Sequence, residues 1–254
     1  MQIYTDIPII SLDDLDTIHE KHGPSFYRGL SSVHHRLLST LTRQINTLHA
    51  AKEAEVFIWN KVLESPDIFR ICGYNSASMV VRHEWELMAQ CRHAGLMSRM
   101  LDLTSKDLVA LYFACSADYD YDGIFWEIIF PFHVTMLSQI QQHPCEVNEM
   151  KLIHPDIFGT GEELYNTASH RNAMHQWSRL LIQPMKDALI PLEEQSNSTI
   201  IGIKHIVPKE FKQKLYREIS DLRKDFILAP NNELEKYVSA INNEVEEKFC
   251  SVKS

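Results

Sequence analysis

Apolar positions recur along the chain in two different rhythms, and the alternation between them predicts a mixed fold. Residues 25–30 (Ser-Phe-Tyr-Arg-Gly-Leu) read as a short strand ending at Gly29, with Gly23-Pro24 as the preceding turn. Residues 50–64 read as a helix, with Glu53, Phe57, Lys61 and Glu64 at turn spacing and Pro66 closing the segment. A second helix is predicted over 83–92, with Trp85, Met88 and Ala89 on one face. A third covers 105–117, where Leu108, Leu111, Tyr112 and Cys115 recur at three- and four-residue steps and Thr104 or Ser105 can cap the first turn.

The β-rich run 123–130 ends at Pro131 and reads as a buried strand. Residues 177–183 and 198–207 read as two more strands. Pro208 then opens a helix whose apolar stripe is Phe211, Leu215, Ile219, Leu222 and Phe226, and a last helix covers about 232–249. Strands and helices mix without regular βαβ alternation. The expected fold is α+β: a single domain with a mixed, mostly antiparallel sheet flanked by helices.

Composition narrows the class. The chain has 254 residues, 44% hydrophobic and 23% charged, so it can bury a core without disulfide or metal staples. Its formal charge of −9 argues against a broad cationic surface for nucleic acid or lipid. A local patch, such as Arg28, Arg43, Arg92 and Arg99, stays compatible with that charge. The apolar runs fall short of the roughly 20 residues a membrane span needs. The first six residues show neither a basic nor an apolar signal region, so the expectation is a cytoplasmic protein without a membrane partner. Five scattered cysteines without a CxxC pair predict reduced thiols, and the histidines lack a ligand framework, so no metal is expected.

No P-loop, GxSxG, HExxH or GxGxxG motif is present. Three segments carry polar residues inside apolar stretches. In the first, Phe26-Tyr27-Arg28-Gly29, the guanidinium fork suits a phosphate or carboxylate and Gly29 would let a ligand approach the backbone. The alternative is an arginine snorkelling past Tyr27 to a surface carboxylate.

The second segment runs from His93 to Thr104 and holds Ser98, Arg99, Asp102 and Thr104. Strand alternation would put Asp102 and Thr104 on one face, and the following helix offers a positive dipole end to an anion. The alternative is N-capping plus an Arg99–Asp102 pair. In the third, Gln176 enters an apolar strand with Arg171 upstream, where its carboxamide can bond a ligand or satisfy backbone groups.

Taken together, the segments resemble the FRG-domain family. The carriers are Phe26-Tyr-Arg-Gly29, Leu38-Ser-Thr-Leu-Thr-Arg43, and His93-Ala-Gly-Leu-Met-Ser-Arg-Met-Leu-Asp-Leu-Thr104 running into Val109-Ala-Leu-Tyr-Phe-Ala114. Arg171 with Gln176, and Asp225 to Pro230, resemble the family's closing blocks, so the likeness spans about residues 26–242. Met97, Ser98 and Leu103 stand where the family has Pro, Thr and Trp, and Arg92 replaces its Gln before the central His.

The order of motifs is also similar to that of NAD-dependent ADP-ribosyltransferases. That resemblance implies an ADP-ribosyltransferase-like fold with NAD as co-substrate and no metal. It implies Arg28 clamping an NAD phosphate with Tyr27 and Gly29 beside it, and His93 and Thr104 lining the nicotinamide-ribose pocket near Ser98 and Arg99. Asp102 would support developing positive charge, and Gln176 would bond a ribose hydroxyl. Asp102, Glu162 and Glu163 are alternative sources of the catalytic carboxylate. By the same resemblance the chain would be a toxin of a bacterial toxin–antitoxin or anti-phage defence system. It would modify an RNA or a protein and be restrained by an antitoxin protein. The alternatives are a non-catalytic nucleotide- or partner-binding module, and a structural domain in which Arg28 and Asp102 form a buried ion pair.

Overall fold

The computed structural model describes residues 1–22, 25–74, 81–131, 133–136, 139–154, 178–196, 199–222 and 232–250. In chain order the strands are β1 (Gln2–Thr5), β2 (Phe26–Leu30), β3 (Met100–Thr104), β4 (Gly123–Ile129), β5 (Thr135–Met136), β6 (Lys151–His154), β7 (Ser178–Ile182) and β8 (Ile201–Val207). The helices are α1 (Asp13–His22), α2 (Thr40–Gln44), α3 (Leu48–Leu63), α4 (Pro66–Ile71), α5 (Val81–His93), α6 (Asp107–Cys115), α7 (Lys209–Leu222) and α8 (Asn232–Val245). Three short 3-10 turns and a π-helical extension of α8 over Glu246–Cys250 complete the described elements.

The strands form one mixed sheet in the order β1-β8-β4-β2-β3-β7-β6-β5. Among the described ladders the outer pairs β1–β8 and β5–β6 are parallel and the central ones are antiparallel. The fold is therefore α+β, with a mixed sheet flanked by helices. The predicted central strands and the long helices all form, within a few residues of the expected ends.

Three apolar cores hold the layers together. One joins α2, α3, α4, α5 and α8 to Met100, Ile153, Leu180 and Ile182 of β3, β6 and β7. A second packs α1, α6 and α7 on Tyr27, Phe125 and Val207 of β2, β4 and β8. A third gathers Leu30, Leu101, Leu103, Trp126 and Leu181 from alternate strand positions. The boundary between the first two cores falls where β2 meets β3, and this positions the site described below.

Some local expectations shift. The buried stripe of α3 is Ala51, Ala54, Glu55, Ile58, Trp59 and Val62, while Glu53 is exposed; the turn spacing read at 53, 57 and 61 traces the outer side. Pro66 opens α4 at its favoured first position, and Ser65 accepts from the Ile68 N–H. On α7, Leu215 and Ile219 are fully buried, but Leu222 is 63% exposed because the helix outruns its core; Phe226 lies outside the described residues. The N-cap of α6 is Lys106, not Thr104 or Ser105; Thr104 Oγ1 instead accepts from the Lys106 N–H at 3.0 Å.

Candidate functional site

Strands β2 and β3 are neighbours in the sheet but share one paired position, Tyr27 opposite Thr104. On their outer sides both are fully laddered, β2 to β4 over five positions and β3 to β7 over five. The sheet thus parts beyond Tyr27: in a continued ladder Arg28 would pair with Leu103 and Gly29 with Asp102, but neither pairing forms, which leaves a gap. The Arg28 guanidinium fills this gap: its Nη1 donates to the Asp102 carbonyl oxygen at 2.6 Å. That bond replaces part of the missing ladder.

Over the gap lies a cavity of about 370 Å³, large enough for a nucleotide-sized ligand. Its walls come from the two helical cores. On one side stand Arg92 and His93 from the last turn of α5; on the other, Val109, Ala110 and Phe113 from the flank of α6. Arg43, from the end of α2, lines it too. Gly95, at φ +96° and two residues past His93, turns the chain out of α5, with the Leu96 N–H on the Cys91 carbonyl at 2.9 Å. Asn242 of α8 clamps the turn, donating to Gly95 O at 3.0 Å and accepting from Met97 N–H at 2.9 Å.

Charge is unevenly distributed in the cavity. Arg92 Nη2 sits 2.6 Å from Asp102 Oδ2, and Arg28 Nη1 is 3.9 Å from the same oxygen. With Arg43, three guanidiniums face one carboxylate. Burial, aided by repulsion from Arg92 and Arg43 and opposed by Asp102, draws the Arg28 pKa down to about 10. Arg28 therefore remains cationic at neutral pH. Burial also lowers the Arg43 pKa, and Arg92 reinforces it.

The His93 imidazole is likewise pushed below its ordinary value by burial, with Asp102 opposing and Arg92 assisting, so it is neutral at pH 7. Among the described residues, Arg28 Nε, Arg92 Nε, His93 Nε2, Asp102 Oδ1 and Ser178 Oγ are buried without a hydrogen-bond partner. Five such atoms around one cavity leave hydrogen-bonding capacity that the described residues do not use.

The predicted residues divide accordingly. Tyr27, Arg28, Gly29, His93, Asp102 and Thr104 all line the cavity. Tyr27 is only 2% exposed and contributes chiefly to the core, 5.4 Å from the Phe125 ring. Gly29 has a different reason from the one expected: a Cβ there would lie 1.8 Å from the Ala110 carbonyl oxygen, so the missing side chain admits α6 rather than a ligand.

Ser98 and Arg99 do not line the cavity. Arg99 is 2% exposed on the other side of the 93–104 segment, beside about 10 Å³ of enclosed space. Its Nε donates to Glu55 at 2.9 Å and its Nη1 to the carbonyls of Val147 and Gln183 at 3.0 and 2.6 Å. Ser98 bonds Thr40 and the Met100 N–H. The Arg99–Asp102 pair therefore does not form, because Asp102 is taken by Arg92.

The positive end of α6 is not the anion site either. Asp107 occupies its first turn, and the cavity touches the helix flank instead. Gln176, Arg171, Glu162, Glu163 and Asp225 lie outside the described residues. Ser178 pairs with Thr104 across β3–β7 and lines the cavity. Ser178 and Phe113 are site residues that sequence reasoning misses. The available signal for Ser178 is strand alternation from Gln176.

Among the described residues, no group of three or more His, Cys, Asp or Glu side chains could hold a metal ion, and no helix is long and apolar enough to cross a membrane.

The fold and site thus define an α+β protein with a cationic, ligand-sized cavity at a parting between two central strands. Comparison with family models adds a similarity: residues 23–123 match the model described as FRG domain. The matched stretch runs from just before β2 to the start of β4 and contains Arg28, Arg43, Arg92, His93 and Asp102. Comparison with curated proteins and with solved structures returns no match.

Proposed function

We propose that this chain binds NAD in the cavity and transfers its ADP-ribose to an acceptor, an RNA or a protein, as the toxin of a defence system held in check by a protein partner. The observation that carries the reading is the convergence of Arg28, Arg92 and Arg43 on one carboxylate over a gap in the sheet. A diphosphate matches guanidinium donors in charge and fork geometry. Cleaving the nicotinamide–ribose bond releases neutral nicotinamide and leaves positive charge on the ribosyl carbon, which the acceptor then attacks with loss of its proton. Asp102 supplies a negative charge close to that centre, as a carboxylate does in glycoside cleavage. Neutral His93 and Thr104 offer hydrogen bonds to the sugar or carboxamide.

A second reading, a nucleotide-binding module without turnover, draws support from the engagement of Asp102 by two arginines. Incubation with labelled NAD and cellular RNA or protein separates the two. Transfer that disappears in Arg28→Ala and Gln176→Ala, with folding intact, supports the enzyme. Binding of NAD without transfer supports the module. Absence of both rejects the nucleotide reading. Expression in bacteria adds a screen: the wild type arrests growth and Arg28→Ala does not.

A further inference from the structure

We propose that Arg92 is a specificity-determining residue: it pairs with Asp102 and moves to a diphosphate when one binds, so that the cavity favours a ligand carrying both a dianion and a nearby hydroxyl donor. The inference rests on the nucleotide reading and adds the residue that sets the preference.

The two arginines around Asp102 are held differently. Arg28 is anchored to backbone, with Nη1 on the Asp102 carbonyl at 2.6 Å and the carboxylate only at 3.9 Å. Its position does not depend on the Asp102 side chain. Arg92 has the opposite attachment: its hold is the Asp102 carboxylate, at 2.6 Å, and its Nε is buried without a partner among the described residues. A guanidinium carries five N–H donors in a rigid fork, so most of those on Arg92 remain to be satisfied. The residue stands in the last helical turn before Gly95, where a side chain can swing while the backbone stays clamped by Asn242.

Two conditions then couple. A diphosphate in the cavity meets three guanidiniums and offers Arg92 a stronger, bidentate partner than one carboxylate oxygen. When Arg92 leaves, Asp102 keeps a part-exposed carboxylate whose Oδ1 is already buried and unpaired. A buried acceptor without a donor is costly, so a bare anion gains less than its charge suggests. A ligand that also presents a hydroxyl restores the balance by donating to Asp102. A nucleoside diphosphate has both parts, a phosphate chain and a sugar diol within one extended molecule. Inorganic pyrophosphate has only the first.

Calorimetric titration of the full chain with ADP and with inorganic pyrophosphate tests this. Arg92→Gln retains an N–H donor toward Asp102 and is expected to keep its thermal midpoint while weakening both probes at least tenfold. Arg92→Lys should recover part of that loss. Asp102→Ala releases Arg92; pyrophosphate should tighten at least threefold, while the advantage of ADP over pyrophosphate shrinks at least tenfold. A merely structural Arg92–Asp102 pair would not shift the two ligands in opposite directions in this way.

If wild-type protein binds ADP and Arg92→Gln stays within twofold for both probes, the role of Arg92 is refuted while the nucleotide reading stands. Equal weakening of both probes in Asp102→Ala refutes that role as well. If wild-type protein binds neither probe, both readings fail.

Discussion

Two arginine–carboxylate pairs, whose arginines come from one stretch of chain, have opposite characters. Arg99 and Glu55 are sealed: the side chains are 2% and 9% exposed, and Arg99 also donates to two backbone carbonyls. Arg92 and Asp102 sit in an open cavity, at 11% and 23% exposure, with Arg28 nearby and unpaired atoms on both partners. Similar chemistry serves architecture in one place and leaves capacity for a ligand in the other. Residue type does not separate them. What separates them is exposure and the two backbone carbonyls that fix Arg99, since Glu55 Oε2 is itself buried without a hydrogen-bond partner.

Removing one partner from each pair offers the sharpest test of this contrast. Glu55→Ala leaves Arg99 charged and buried, and should cost about 3–5 kcal/mol of unfolding free energy in a denaturant titration. A loss near 1 kcal/mol would show that the sealed site is not as closed as its geometry indicates. Gly29→Ala drives a Cβ into the Ala110 carbonyl at the back of the open site, and a loss of about 3 kcal/mol is expected as a lowered thermal midpoint.

Asp102→Ala should cost only about 1 kcal/mol, since Arg28 keeps its backbone bond and the cavity admits water to Arg92. A cost equal to that of Glu55→Ala would abolish the distinction and favour a purely structural Arg28–Asp102 pair.

The smallest effect concerns pH. His93 has a folded-state pKa depressed below its ordinary 6.5, so the unfolded chain takes up the proton first. Its contribution is complete above pH 6.5, declines as the pH falls below that value, and stops declining below the folded value. His93→Gln should flatten this part of the stability curve. An NMR titration in which His93 protonates above 6.5 would contradict the assignment.

Much of the scaffold is legible in the sequence because it is local. Period-two and period-3.6 patterns locate the central strands and the long helices, and the contiguous blocks around Arg28 and Asp102 point to one site. The misreadings arise where partners are distant along the chain. Nothing near Arg99 announces Glu55, since that pairing depends on α3 packing behind β3. Arg92 is visible as a departure from the FRG-like pattern, but its reach to Asp102 requires the turn at Gly95 to fold the helix end over the strand. At Gly29 the pattern marks a place where something comes close, and only the fold reveals that the neighbour is a helix and not a ligand. The exposed β1, paired in parallel with β8, carries no signal at all in a four-residue polar-apolar run.

Gly29 and Gly123 together have a mechanical consequence. Both lie beneath α6, where an added methyl would meet the carbonyl oxygens of Ala110 and Ala114 at 1.8 and 2.5 Å. Backbone rests on backbone there, with no long side chain between to yield. One bank of the crevice is therefore stiff. The opposite bank rests on different contacts: the tip of α5 is held by the backbone bonds of its closing turn, by the two Asn242 hydrogen bonds and by the Arg92–Asp102 pair, so side chains and not backbone carry the contact across the crevice.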